Sequence, residues 1–92
     1  MAKLSNDQLP AALADLPGWS RTGDSLPKTF TFHTFPEGIG FVDRVALVAE
    51  ELAHHPDITI TYTRVTLTLS THDEGGVTEK DVALAERIET TA

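Results

Sequence analysis

Residues 58–69 read ITITYTRVTLTL, a run in which large apolar side chains alternate with threonine. This alternation is typical of β-strands that bury one face and expose the other. The apolar positions change parity between Tyr62 and Val65, which predicts a turn at Thr63-Arg64. With two residues in the turn, Tyr62 pairs with Val65 and all the apolar side chains share one face. The segment therefore predicts an antiparallel hairpin with a threonine-lined outer face.

Three of the four histidines are predicted to converge beside this hairpin. Extended outward, the same register brings His55 opposite His72, both on the threonine-lined face and away from the helices. His54 directly precedes His55 in the chain. The hairpin thus predicts a cluster of three imidazoles built from residues that are distant in sequence.

Capping signals predict a helix near each end of the chain. Ser5 and Gln8 have the spacing of a capping box, and the helix that follows them ends at Pro17-Gly18. Near the other end, Thr78 opens a second capping box with Asp81 as its third helical residue. These two segments are the first and last of three predicted helices.

The middle helix is predicted to begin near Pro36-Glu37 and to run to about His54, with Pro56 ending it. At about 100° per residue, four apolar residues of this segment form one stripe. These residues are Phe41, Val45, Val48 and Leu52. The stripe is predicted to face the core.

Two further strands are predicted at Trp19-Ser20-Arg21 and from Lys28 to Phe35, on either side of a turn at residues 22–25. The sequence therefore predicts an α+β fold in the order α-β-β-α-β-β-α. Its four-stranded antiparallel sheet carries all three helices on one face.

The composition fits one small globular domain spanning residues 1–92. The chain has no cysteine, which excludes disulfides and thiolate metal sites. Its net charge of −7 and scattered basic residues argue against direct nucleic-acid binding. It has no apolar leader and no run approaching the roughly 20 residues of a membrane span. We therefore expect a soluble, cytoplasmic protein without a membrane partner.

The His54-His55 pair has two readings. At the end of a helix, histidines can simply hydrogen-bond the last carbonyl groups and complement the helix dipole. Two in succession, with His72 brought alongside, instead favour a functional cluster. Neighbouring imidazoles repel one another when protonated, which favours neutral rings near pH 7 and suits general acid–base catalysis.

The acidic residues and Ser70 also have competing readings. Glu50 lies one helical turn before His54, either as a surface pair or as a group that orients the ring. For Asp81 the capping role is favoured over direct chemistry. A zinc site from Glu50, His54 and His72 has less support, because no HExxH-type spacing is present. Ser70 near His72 lacks the elbow motif of a nucleophile.

The spacing Glu50-x3-His54-His55-Pro56-x5-Tyr62-x9-His72-x8-Asp81 resembles the pattern of the pterin-4a-carbinolamine dehydratase family, with every position filled. The likeness extends from about Leu4 to Ile88. It includes Gly18-Trp19 and the run from Leu67 to His72. Many family members carry tryptophan where this chain has Ile58, which removes an aromatic surface on which a pterin ring could stack.

The resemblance implies an enzyme that dehydrates 4a-hydroxytetrahydropterin to quinonoid dihydropterin, in tetrahydrobiopterin recycling. It implies a homodimer or homotetramer and neither a metal nor a cofactor. The implied catalytic residues are His54, His55 and His72. The implied substrate-binding or supporting residues are Glu50, Pro56, Asp57, Ser70, Thr71 and Asp81. Two other hypotheses stay open: a catalytically silent binding or assembly protein of the same fold, and a zinc-dependent hydrolase.

Overall fold

Three helices and three strands form in the order α-β-α-β-β-α in the computed structural model, which describes residues 2–92. They are α1 (Leu9–Ala12), β1 (Leu26–Thr31), α2 (Phe35–Leu52), β2 (Asp57–Thr61), β3 (Arg64–Leu69) and α3 (Glu79–Thr91). A 3₁₀ turn at His72–Glu74 connects the hairpin to α3. The α+β class is therefore confirmed.

Within residues 2–92 the antiparallel sheet has three strands in the order β1-β3-β2, and the predicted fourth strand at residues 19–21 does not form. The side chain of Trp19 is buried, and its indole N–H donates to Glu89 of α3 at 3.0 Å. That segment is thus fixed by side-chain contacts with α3 and not by a strand ladder. Beside it, Thr22 and Ser25 make only an isolated bridge.

Strand β1 occupies Leu26–Thr31, so the prediction of Lys28 to Phe35 placed it too late. Pro27 lies inside the strand opposite Thr68. Proline lacks a backbone N–H, and it is tolerated here because β1 is an edge strand that pairs only with β3.

The hairpin forms as predicted, but its register is shifted by two residues. Thr61 pairs with Arg64 and Ile60 with Val65, so the turn residues are Tyr62 and Thr63. A shift of two keeps every side chain on its predicted face, which is why alternation could not distinguish the two registers. Tyr62, expected in the core, lies at the turn with 76% of its surface exposed and a φ of 53°.

The core lies between the central strand and the helices. Val65, Leu67 and Leu69 alternate with threonines on β3 and are fully buried. Phe41 and Val45 of the predicted α2 stripe are fully buried in the same cluster. Val48 and Leu52 extend that cluster, as do Leu84, Ala85 and Ile88 of α3. The apolar face of the sheet is therefore the face that the helices cover.

The ends of the helices position the residues that follow. The capping contacts of Ser5 and Gln8 form, but α1 is only one turn long. Thr78 and Asp81 form the predicted capping box of α3. Helix α2 ends at Leu52, before the predicted limit, because Ala53 adopts a left-handed conformation with φ 52°. This reversal redirects the chain just before the histidine pair.

Candidate active site

The three predicted histidines line one open cleft of about 270 Å³. The cleft lies where α2 ends, where β3 leads into the 3₁₀ turn and where α3 begins. Its lining includes His54, His55, Ser70, Thr71, His72, Asp73 and Lys80. The histidines thus meet at the end of the sheet, beside the helix termini. The predicted pairing of His55 directly opposite His72 was wrong, because both residues lie outside the strands and β2 begins only at Asp57, paired with Thr68.

A buried carboxylate holds the first histidine. Nε2 of His54 lies 2.6 Å from Oδ1 of Asp81. The side chain of Asp81 has no exposed surface, and that of His54 is 13% exposed. When Asp81 is ionised, it accepts the Nε2–H of His54, which leaves Nδ1 as the ring nitrogen able to exchange a proton.

The second oxygen of Asp81 is also fully used. Oδ2 accepts the backbone N–H of Thr78 at 2.9 Å and the hydroxyl of Thr71 at 2.8 Å. The hydroxyls of Thr71 and Thr78 lie 2.8 Å apart. A buried carboxylate is tolerated only when hydrogen bonds replace its water. Asp81 therefore serves both the capping role predicted for it and the site.

An exposed carboxylate contacts the second histidine. Nε2 of His55 is hydrogen-bonded to Oε2 of Glu50, with 62% and 75% of the two side chains exposed. The predicted pairing of Glu50 with His54 was therefore wrong. The left-handed Ala53 breaks the helical spacing, and the backbone N–H of His54 bonds to Ala49. His54 consequently reaches Asp81, and His55 takes the position beside Glu50.

The third histidine differs from the other two in its contacts. His72 opens the 3₁₀ turn and is exposed, and its ring makes no hydrogen bond to any of the residues 2–92. Ser70 also lines the cleft, and its hydroxyl donates to the carbonyl of Asp24 at 2.8 Å. Because that proton is committed to a carbonyl group, Ser70 is not arranged as a nucleophile with His72 as its base.

Four of the six predicted supporting residues do not line the cleft: Glu50 and Asp81, which contact its histidines, and Pro56 and Asp57. Pro56 is half-buried after His55, and Asp57 begins β2. Ile58 is likewise not a lining residue. Sequence reasoning missed Asp73 and Lys80, which do line the cleft. For Lys80 a signal was present, since a cation in the first turn of a helix opposes the helix dipole.

Larger clefts exist elsewhere but carry different chemistry. One of about 580 Å³ lies between α1 and α3, and one of about 570 Å³ lies near the start of α2. Neither is lined by a histidine. Among residues 2–92, no three His, Asp or Glu side chains are arranged to hold a metal ion. In the same range, no helix is both long enough and apolar enough to cross a bilayer.

Together, the fold and the cleft define a small α+β protein with a site suited to acid–base chemistry, in which carboxylates hold two of three imidazoles. The family described as pterin 4 alpha carbinolamine dehydratase matches residues 2–91. The chain therefore belongs to the pterin-4-alpha-carbinolamine dehydratase family, a family of lyases.

Relatives of this name agree over nearly the whole chain. A protein named as a pterin-4-alpha-carbinolamine dehydratase from Mycobacteroides abscessus is 58% identical over 98% of this chain and 96% of its own. One of the same name from Thermomicrobium roseum is 51% identical over 96% and 95% of the two chains.

Solved structures give the same fold. A transcriptional coactivator/pterin dehydratase from Brucella melitensis superimposes with a TM-score of 0.93 at 37% identity, over 98% of both chains. A pterin dehydratase-like protein described as a RuBisCO assembly factor in the alpha-carboxysome superimposes with a TM-score of 0.66. It is 29% identical and is matched over 80% of this chain and 86% of its own.

Proposed function

We propose that this protein dehydrates 4a-hydroxytetrahydropterin to quinonoid dihydropterin and water by histidine acid–base catalysis. The observation that carries the proposal is the meeting of His54, His55 and His72 in one cleft. Family membership supports the dehydration itself. We further propose that the cleft histidines carry out the proton transfers and that the reaction serves tetrahydrobiopterin recycling.

The reaction requires one proton to be delivered and one to be removed. An acid protonates the hydroxyl on C4a, the C4a–O bond breaks, and water leaves. A base takes the proton from N5, and the N–H electron pair forms the N5–C4a double bond. The proton count balances without an oxidant or a reductant. Three imidazoles in one cleft can provide the acid and the base.

The carboxylates of Asp81 and Glu50 orient two of these rings for proton exchange with the substrate. Asp81 and Glu50 each hold Nε2 of one histidine, so that Nδ1 is the nitrogen left for the substrate. Holding a ring in one orientation and one tautomer lowers the reorganisation needed in the reaction. The buried Asp81 pair is the more rigid, since its carboxylate also binds Thr71 and Thr78.

The test follows the decay of 4a-hydroxytetrahydropterin by absorbance, with and without the pure protein. We expect the wild-type protein to accelerate decay, and His55→Ala and His72→Ala to lose about 100-fold or more of that rate. His33→Ala is the matched control, because His33 is exposed and lies outside the cleft. Full rates in both cleft variants would show that the proposed histidines are not the catalysts.

A second candidate function is that of a binding or assembly protein with the same fold. The observation that favours it is the likeness to the RuBisCO assembly factor. A well-folded wild-type protein that left the decay rate unchanged would favour this candidate. The three histidines of the cleft weigh toward the enzyme, because an assembly role alone gives no reason to bring them together.

We also infer a homodimer or homotetramer. Strand β2 is an edge strand whose five residues are all exposed. Ile58 and Ile60 are each 38% exposed on it, and Leu47 of α2 is 73% exposed. Exposed edges and apolar side chains of this kind are usually covered. Light scattering coupled to size-exclusion chromatography would give the mass, and a monomer at all concentrations would contradict the inference.

A further inference from the structure

Lys80 is the only lysine or arginine among the described residues that line the histidine cleft. Its ammonium group makes no ion pair or hydrogen bond with any of residues 2–92. Two other cations are paired within the chain: Lys28 binds Glu89, and Arg87 binds Glu51. The charge of Lys80 is therefore available to a ligand in the cleft.

The position of Lys80 is unfavourable for the helix that carries it. It is the second residue of α3, where unpaired N–H groups and the helix dipole favour acidic side chains. Glu79 and Asp81 on either side follow that preference. A residue that opposes its local structure without a compensating contact is expected mainly at functional sites. The conflict points to a role for Lys80 outside the helix.

The backbone of Lys80 is nevertheless well fixed. Its N–H donates to the hydroxyl of Thr78 at 3.2 Å, within the capping box that also includes Asp81. The same Asp81 holds His54. The capping box therefore fixes the position of the Lys80 backbone relative to the His54 ring. A group that binds substrate requires a fixed position of this kind.

We propose that Lys80 is a substrate-binding residue that donates a hydrogen bond to the carbonyl oxygen at C4 of the pterin ring. An ammonium group has three donors and no acceptor, so its partner must be an electron-rich atom. C4 is bonded to C4a, the carbon from which the proposed reaction removes the hydroxyl. A pterin ring bound with its C4a atom next to the histidines therefore has its C4 oxygen in the cleft that Lys80 lines. The inference rests on the proposed dehydration.

The first test measures binding without turnover. Pterin carries an oxygen at C4, whereas 2,4-diaminopteridine carries an amino group there. Neither compound has a hydroxyl on C4a, so neither can be dehydrated. Titration of each by its fluorescence gives a preference, defined as the ratio of the two Kd values. We expect wild type to favour pterin by about tenfold, as one charge-assisted hydrogen bond provides.

Three variants test whether the preference for pterin depends on Lys80. Lys80→Gln should reduce the ratio to about one, and Lys80→Arg, which keeps the cation, should preserve most of it. Lys3→Gln is the matched control, since Lys3 is an exposed lysine outside the cleft with no ion pair to residues 2–92. A Lys80→Gln ratio equal to that of wild type would overturn the proposal.

The second test separates binding from structure. Lys80→Gln should raise KM for dehydration about tenfold with little change in kcat, while Tm stays the same or rises. A lower Tm with equal weakening of both probes would mark Lys80 as structural and overturn the proposal. Wild-type turnover with an unchanged KM in Lys80→Gln would overturn this inference alone. No acceleration by wild type would overturn the proposed function and this inference together.

Discussion

Nε2 of His54 lies 2.6 Å from Oδ1 of Asp81, which joins the segment after α2 to the first turn of α3. The two residues are 27 positions apart. Asp81 is at the same time the capping residue of α3, with its other oxygen on the N–H of Thr78. One carboxylate thus stabilises a helix terminus and orients a histidine of the cleft. Substitution of Asp81 should consequently affect folding and catalysis together.

Asp81→Asn should reduce kcat for dehydration about 100-fold. It should also lower the free energy of unfolding by about 1–3 kcal/mol. One side of an amide is a donor, and it would face either the Nε2–H of His54 or the N–H of Thr78, both of which are donors themselves. Kinetic assays and urea denaturation measure the two effects.

Glu79→Gln is the control for Asp81→Asn. It removes another carboxylate from the first turn of α3, but Glu79 is exposed and contacts no histidine. Its effect on unfolding should be below about 0.5 kcal/mol. Wild-type kcat in Asp81→Asn would contradict an orienting role for the carboxylate.

Glu50→Gln should separate the two effects that are combined at Asp81. The Glu50–His55 pair is largely exposed, so its loss should change the free energy of unfolding by less than about 0.5 kcal/mol. The rate of dehydration should still fall, because glutamine can keep a hydrogen bond to His55 but not the charge. The fall should be smaller than in Asp81→Asn. Glu51→Gln, which breaks an exposed pair with Arg87, should leave the rate unchanged. Equal rates for the two variants would exclude a role for Glu50.

Local signals in the sequence located the three helices and the buried face of β3, but not the length of α1 or the end of α2. The reciprocal contacts of Ser5 with Gln8 and of Thr78 with Asp81 form as predicted, because both partners of each pair lie within one turn. The register of the hairpin was missed, since Tyr62-Thr63 has no turn residue that would distinguish it from Thr63-Arg64. A shift of two residues leaves the alternation of apolar and polar positions unchanged, so the pattern cannot reveal it.

The site was predictable only in part, for a related reason. Sequence spacing identified the three histidines, but the Glu50–His54 pair assumed that α2 continued to His54. A left-handed residue ends the helix earlier, and alanine gives no sign of that conformation. The contact of His54 with Asp81 depends on how α2 packs against α3, which no local pattern encodes.

Ala53→Gly should stabilise the protein. Ala53 has a φ of 52° at the end of α2, a conformation that costs an L-residue roughly 1–2 kcal/mol and costs glycine much less. Glycine loses more conformational entropy on folding than alanine does, which offsets part of this gain. We therefore expect the free energy of unfolding to rise by about 0.5 kcal/mol. The matched control is Ala46→Gly, an exposed position inside α2, which should lower it by about 1 kcal/mol. Destabilisation by both substitutions would show that the left-handed turn stores no strain.

Tyr62→Gly should also raise the free energy of unfolding, by about 1 kcal/mol, as judged by urea denaturation. Tyr62 occupies the first turn position between Thr61 and Arg64 with a φ of 53°, where hairpins favour glycine. With 76% of its surface exposed, the ring buries little that the substitution would lose. Tyr62→Phe keeps the backbone strain and should leave stability unchanged. If Tyr62→Gly were instead destabilising, and more so at higher protein concentration, the ring would be buried against a second copy of the chain, because only a subunit contact makes stability depend on concentration.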